Sequence, residues 1–478
     1  GRHNSSETSQ ILSGIVATDY IDHALDMDAG KLWWGRNGTF SGNPAAGSGE
    51  AYSGITGTVY PFANTYTSSN ATIDITGGTA PSGYGRLSTA NLPAPTVTDP
   101  SAYFGILTWQ GNGTDNTTIR DGETVDGVAV GGALKDKGGT GTRWTPDFAW
   151  IKNRADNSTS WVVSDVVRTV TKNLATDTAA AEDDATRTTQ FLAGGIEVGN
   201  SNFSNKDGKK TIGYFLKAGG SPSTLAVDSI SSGVPSIASS VSAADHGGFS
   251  IGTFTIDTSG AFTIAHGLTR AIGMLWVKDR EASGGWWVWS DQLGNTAYYL
   301  RLETADDVFT DGGSLVWNGV NPGASSPSTA VFSSNGGWLT NGNDHVFYAF
   351  ARTPGLIGMG SYTGNASSDG PFVVVDDGAS GFSPAFVMFK NLNADQSWEI
   401  HDLGREPYNF TPEGTFAGRL QPDTDSAEST TFVLQKHATG FKIVTGGAST
   451  NGSGNKFVYL AFAENPFGGD TIAQAKAR

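Results

Sequence analysis

The sequence predicts an all-β protein in which an incomplete N-terminal sandwich is followed by three tandem β-sandwich repeats, and three observations carry that expectation. First, Trp161-Val162-Val163-Ser164-Asp165 returns as Trp287-Val288-Trp289-Ser290-Asp291 and as Trp398-Glu399-Ile400-His401-Asp402. Second, the flanks return with it. An apolar run ending in lysine precedes each copy, with Lys152, Lys278 and Lys390 lying nine, nine and eight positions before Trp161, Trp287 and Trp398. An apolar strand around Tyr214, Tyr348 and Tyr459 follows 53, 61 and 61 positions after the tryptophan. Order kept at this spacing is the mark of a repeated structural unit. Third, 65 glycines and a polar, turn-rich background with few helix-favouring runs describe strands joined by turns, while 25 Phe, 13 Trp and 13 Tyr supply core material.

Taken in order, residues 14–40 read as strands: Ile15-Val16-Ala17, then Tyr20 to Met27, a turn at Asp28-Ala29-Gly30, the strand Lys31-Leu32-Trp33-Trp34, and a turn at Asn37-Gly38. Closely spaced prolines in Leu92–Pro100 cannot continue a ladder and mark the first boundary. Each repeat then opens on an apolar strand, Tyr103–Trp109, Phe249–Phe254 and Leu356–Tyr362. Gly195–Val198, Gly337–Leu339 and Gly440–Ile443 each precede an Asn/Gly-rich turn and the closing strand, which is a hairpin order. The expected domains are 1–95, repeat 1 over 101–220, a Ser/Ala/Val-rich linker over 221–246 whose scattered Val and Ile equally suit a partly packed segment, repeat 2 over 247–354, repeat 3 over 355–467 and a polar tail over 468–478. Repeats 2 and 3, joined by the short Arg352-Thr353-Pro354-Gly355, are expected in a fixed relation, with repeat 1 freer. Thr178–Ala185 has alanine propensity but no apolar face, so a turn or two of helix is the most it supports.

The run Leu25–Gly38 resembles the later part of a SPRY domain, a concanavalin-like β-sandwich in which such a hairpin precedes a strand near a Tyr-Pro, here Tyr60-Pro61. The resemblance covers residues 1–95 and implies a partial sandwich, since the few residues before Ile15 leave little room for the earlier strands; Gly1 is expected to lie inside a longer polypeptide. The lysine strand, the tryptophan strand and the closing Ala461–Phe467 resemble repeats found beside SPRY-like domains in bacteriophage tail fibres and other virion proteins. That resemblance covers about residues 100–467 and implies a virion-surface or extracellular location, with other virion proteins and a host-surface glycan or protein as partners and homo-oligomers, commonly trimers. It supplies no catalytic residues. Repeat 3 departs from it where Asn391-Leu392 replaces Asn153-Arg154 and Asp279-Arg280.

A net charge of -16 argues against a general affinity for nucleic acid. The absence of cysteine excludes disulfides and thiolate metal sites, and no run of eighteen apolar residues marks a membrane span. Alternation along a strand places Trp161, Val163 and Asp165 on one face, as it does Trp287, Trp289 and Asp291, and Trp398, Ile400 and Asp402. Lys152 and Asp165 fall roughly 13 Å apart in such a hairpin, too far for a catalytic pair. Lys152, Lys278, Lys390, the three tryptophans and the three aspartates therefore read as the structural core of the repeat. Trp286, opposite Trp287 and matched to Ser160 and Ser397, reads as an outward indole able to stack on a sugar ring or sit in a protein interface, with cover by a neighbouring loop or repeat at least as good a reading. His401 and Glu399 read as a solvated strand face. No cofactor is implied. The acidic clusters Asp22/Asp26/Asp28, Asp183/Asp184, Asp306/Asp307, Asp376/Asp377 and Asp423/Asp425/Glu428 leave structural calcium open, though none has EF-hand spacing. No paired carboxylates, Gly-x-Ser-x-Gly turn or phosphate loop stands in a convincing setting, so an enzyme is the minority reading. The resemblance makes a phage fibre or appendage protein that binds a host-surface glycan or protein the first expectation, a purely structural virion component the second and a glycan-cleaving enzyme the third.

Overall fold

The computed structural model describes residues 14–16, 18–56, 79–86, 94–137, 141–230, 235–258, 261–294, 298–310, 329–333, 339–405, 418–430 and 433–468, with the short strands Arg2–His3 and Ser6–Glu7. These residues are nearly all β, and the chain divides into two compact units between Pro93 and Ala94.

The N-terminal unit holds a three-stranded antiparallel sheet of Ile21–Asp26, Lys31–Arg36 and Thr39–Phe40. Asn37, at φ 50°, and Gly38, at φ 85°, make the tight turn between the last two strands, a conformation these two residues adopt at little steric cost. Trp33 is fully buried, its indole N–H donating to Ser48 O at 3.0 Å. Ile15 and Val16, expected in a strand, are outside any, and Tyr60-Pro61 lies outside the described residues.

In the second unit each repeat builds the same four-stranded antiparallel order of opening, closing, lysine and tryptophan strands. In repeat 1 these are Phe104–Gln110, Lys210–Leu216, Phe148–Asn153 and Val162–Asp165. In repeat 2 they are Phe249–Thr255, Asp344–Ala351, Ile272–Asp279 and Trp287–Ser290. In repeat 3 they are Ile357–Thr363, Lys456–Pro466, Phe382–Asn391 and Glu399–Asp402. The lysine strand is central and buried at every position, which explains why it is apolar on both faces. A smaller second sheet packs on one face: Gln190–Leu192, Gly195–Val198 and Thr117–Arg120 in repeat 1, Ala261–Ala265 and Thr329–Ser333 in repeat 2, and Phe372–Val374, Gly440–Ile443 and Leu434–His437 in repeat 3.

The other face of each main sheet is apolar too, and no second sheet of its own repeat covers it. The three faces cover one another. Phe104, Phe148, Trp150 and Tyr214 of repeat 1, Trp276, Tyr348 and Phe350 of repeat 2, and Phe386, Leu460 and Phe462 of repeat 3 belong to a single core shared by all three, beside a separate core inside each sandwich. Trp150 meets Trp276 edge-on at 5.5 Å, Phe104 stacks on Phe462 at 4.7 Å, and Phe148 meets Tyr348 at 5.2 Å. Where the three sheets converge they leave a cavity of about 10 Å³ walled by these rings. With apolar walls it offers a water no partners and stays dry.

Three expectations change. Residues 221–246 are not a free linker: Ser223–Leu225 and Ser239–Ala243 extend the main sheet of repeat 2 beyond its opening strand, because Val241 and Ile237 have apolar surface to bury there. Thr178–Ala185 forms no helix; Asp183–Asp184 pairs instead with Lys172–Asn173. The hairpin echo at Gly337-Trp338 lies outside the described residues.

The third change is a one-residue slip. Strand pairing sets Trp150 opposite Val163, Trp276 opposite Val288 and Met388 opposite Ile400. The residue before each tryptophan-strand pair partner of the lysine strand's end is thus Trp161, Trp286 and Trp398, so Trp286 and not Trp287 is the repeated tryptophan. By the same pairing Leu460, not Tyr459, matches Tyr214 and Tyr348, and Ser290, not Asp291, matches Asp165 and Asp402. A slip of one along a strand exchanges faces, and Trp287 accordingly points into repeat 2's own core.

Replacing Trp161, Trp286 or Trp398 by alanine is expected to cost about 3–5 kcal/mol each, the range for deleting a fully buried indole. Denaturant unfolding of the three variants checks this, and a Trp286→Ala change near zero contradicts its placement in the core.

Candidate functional site

In the described part of the second unit, a recurring set of buried polar groups lies at the three junctions between repeats. At each junction the repeated tryptophan donates its indole N–H across to the neighbouring repeat. Trp286 of repeat 2 donates to Ala175 O of repeat 1 at 2.8 Å. Trp398 of repeat 3 donates to Arg301 O of repeat 2 at 2.8 Å. Trp161 of repeat 1 donates to Gln421 O of repeat 3 at 3.0 Å. The three contacts run head to tail and close a ring within one chain.

The acceptors are themselves a repeated element. Leu174-Ala175-Thr176-Asp177, Leu300-Arg301-Leu302-Glu303 and Leu420-Gln421-Pro422-Asp423 each pair through their leucine with the tryptophan strand of the same repeat. Asp177 and Glu303 accept the main-chain N–H of Trp161 and Trp286 at 3.0 and 2.8 Å, and Asp423 accepts that of Trp398. Sequence reasoning missed this Leu-x-x-Asp/Glu signal, because it follows the tryptophan by 13, 14 and then 22 positions.

Lys152, Lys278 and Lys390 are completely buried. Their ammonium groups donate to main-chain carbonyls: Lys152 to Asn153, Thr159 and, across the junction, Asp425; Lys278 to Asp279 and Ala282; Lys390 to Gln396 and, across the junction, Ala305. Burial pulls all three lysines down to about 8, partly offset by the nearby carboxylates of Asp177, Asp279 with Glu303, and Asp423. The same burial raises Asp177 and Glu303 and brings Asp423 to about 6.

Two junctions carry a further network. Between repeats 1 and 2, the Asp165 carboxylate accepts the Tyr348 hydroxyl at 2.7 Å and pairs with Arg168 at 2.7 Å. Arg168 reaches Glu182 at 2.9 Å, and Glu182 reaches Arg280 of repeat 2 at 3.0 Å. Between repeats 3 and 1 the same chain of groups recurs as Tyr214, Asp402, Arg405, Glu428 and Arg154, with contacts of 2.8, 2.6, 3.6 and 2.7 Å. Burial drives both tyrosines well above their ordinary value, with the adjoining aspartate adding to the shift. Asp402 is held low despite its burial, because Arg405 stabilises its charge.

At the junction between repeats 2 and 3 the corresponding positions are Leu460, Ser290, Leu293, Val308 and Leu392, which bury as or against the shared core except for the small Ser290. The ion pairing there moves to the rim, where Arg352 joins Asp291 at 2.5 Å and Asp376 at 2.9 Å. One junction is therefore apolar where two are ionic.

The residues expected at sites fall as follows. Trp161, Asp165, Trp398, Asp402 and the three lysines gather at the junctions, and Trp287 and Asp291 do not occupy the matching positions. Trp286 has no exposed surface, so an outward stacking indole is ruled out; the Trp286-Trp287 pair made the register ambiguous. Glu399 and His401 are not solvated but completely buried, since their face is the inner face of repeat 3; His401 stacks on Phe389 at 5.6 Å and Glu399 takes Arg419 at 2.8 Å. The acidic clusters serve turns and ion pairs: Asp26 caps Ala29, Asp22 accepts Gly38, Asp183 and Asp184 meet Arg187 and Lys172, and Asp377 accepts Gly355. Among the described residues no group of three or more metal-ligating side chains is arranged around a common point.

Residues 99–466 match a family model described as a domain of unknown function, DUF7483. The chain belongs to the DUF7483 family. The match runs through all three repeats. No curated protein and no solved structure matches the chain.

Two outcomes test this site. Tyr348→Phe and Tyr214→Phe should each cost about 1.5–3 kcal/mol, the range for a hydrogen bond to a charged group, in equilibrium unfolding; a neutral effect at both would contradict the networks. Between about pH 8 and 10.5 the unfolded chain holds lysine protons that the folded chain has released, so stability rises with pH there, by at most about 1.4 kcal/mol per pH unit for each lysine. Above pH 10 the buried tyrosines reverse the trend, because only the unfolded chain then ionises them. Unfolding at pH 8 and 9.5 reads the sign.

Proposed function

We propose that this chain is a structural component of a bacteriophage virion appendage, with the three-repeat ring acting as a rigid body that other virion proteins build on. The observation that carries the reading is the ring closure: the repeated tryptophans lie between repeats, where they hold shape, and offer no surface to a ligand. The resemblance of the lysine and tryptophan strands to phage fibre repeats gives the setting. Because three sheets meet within one chain, the threefold grouping that a homotrimer would supply is already present, and a single chain suffices as the building unit.

Host-surface binding is a second reading, favoured by Phe372 and Val374, which stand 51% and 54% exposed on the outer sheet of repeat 3. Non-enzymatic action is part of both readings. Immunogold labelling of purified particles with an antibody to this chain tests the first; particles without label on any appendage would sink it. Saturable binding of the purified protein to intact cells, lost in Phe372→Ala with unfolding unchanged, would favour adhesion over a purely structural part.

A further inference from the structure

We propose that the ring is an acid-sensitive closure in which the two ionic junctions open first and release repeat 1, while the apolar junction keeps repeats 2 and 3 together. Repeat 1 is the only repeat that takes part in both ionic junctions. Its carboxylate Asp165 faces Arg168, Tyr348 and Glu182, with Arg280 beyond Glu182 and Asp344 beyond Arg280; Lys278 lies within electrostatic reach of Arg168 and Glu182. At the other junction Asp402 faces Arg405, Tyr214, Glu428 and Lys436, with Arg154 beyond Glu428 and His401 within reach of Arg405.

Protonating Asp402, which Arg405 holds low, strips a completely buried guanidinium of its main counter-charge, the costly way to break a buried pair, and Asp165 makes the matching contact to the equally buried Arg168. The junction between repeats 2 and 3 has no such pair to lose, because leucine stands at both arginine-matched positions, Leu293 and Leu392. The buried lysine and the tryptophan-capping carboxylate are common to all three junctions and do not distinguish them. Those carboxylates are raised, so acid protonates them more readily in the folded chain and does not unseat it through them.

The connection after repeat 1 suits such a release. Ala218-Gly219-Gly220 runs straight from its closing strand to the added strands of repeat 2, with Gly220 at φ 74°, a backbone region glycine adopts freely. The connection is held by Asp147, which accepts Ala218 N–H at 2.7 Å and Gly220 N–H at 3.3 Å.

Each junction carries its own reporter, since Trp286, Trp161 and Trp398 each cross one of them. The full chain labelled with 5-fluorotryptophan carries thirteen ¹⁹F resonances, and it is titrated from neutral pH downwards once those of Trp286, Trp161 and Trp398 have been assigned by Trp→Phe variants. Trp286 and Trp161 should leave their native positions at a higher pH than Trp398. Simultaneous loss of all three signals, or loss of Trp398 first, overturns the proposal.

A second chain carries the apolar junction's residues in place of one network: Asp165→Ser, Arg168→Leu, Glu182→Val, Arg280→Leu and Tyr348→Leu. In it Trp286 should follow Trp398 while Trp161 keeps its early transition. A Trp286 transition that stays early in this chain also overturns the proposal. Should the substituted chain not fold, the order of transitions in the unsubstituted chain decides.

Discussion

The structure depends on one unmet need: each four-stranded sheet is apolar on two faces and its own repeat covers only one. The uncovered face carries aromatic rings such as Trp150, Trp276 and Phe386, whose burial is worth far more than any single hydrogen bond in the molecule. A sandwich that left this face to solvent would expose a contiguous apolar patch of the kind that drives association. Three such faces turned inwards satisfy one another, and because they sit on one chain the contact is intramolecular. The cysteine-free sequence fits this solution, since the junctions tie the repeats together without a covalent bridge.

Apolar burial pulls the sheets together but does not choose which repeat meets which. That choice falls to directional groups. Each tryptophan N–H finds a carbonyl on one particular neighbour, and two junctions add a five-membered ionic chain whose members come from both repeats. Buried ion pairs are poor stabilisers compared with well-packed apolar groups, and the third junction shows the alternative inside the same molecule, with leucine and valine at matched positions. The ionic junctions therefore contribute order more than stability. If all three were apolar, repeat 1 could pair with either neighbour, or with another copy, at similar cost.

Much of this was legible in the sequence. The strands and the threefold repeat could be read because apolar periodicity and spacing survive divergence, and the lysine strand's apolarity on both faces announced its central place. What failed was register. Two adjacent tryptophans, Trp286 and Trp287, fit the motif equally well by spacing, and only pairing with Met274–Val277 decides between them. Tyr459 misled in the same way, standing one position from Leu460. The inner placement of Glu399 and His401 was also unreadable from their strand alone, since charged residues on a strand usually face water, and their burial goes with contacts to Phe389 on the adjacent strand and to Arg419. The Leu-x-x-Asp/Glu element was hidden by the longer stretch of sequence before Leu420.

These failures share a cause that bears on function. Residues such as Trp161, Asp165 and Tyr214 have a plain local role as strand members, and their second role exists only once a neighbouring repeat is in place. A motif scan sees the first role and assigns the residue to the core or the surface of one domain. The DUF7483 match spans residues 99–466 and so takes in all three repeats. The ring is thus the level at which the polar residues make sense. An activity sought in any single repeat would be sought among groups whose partners lie in the next one.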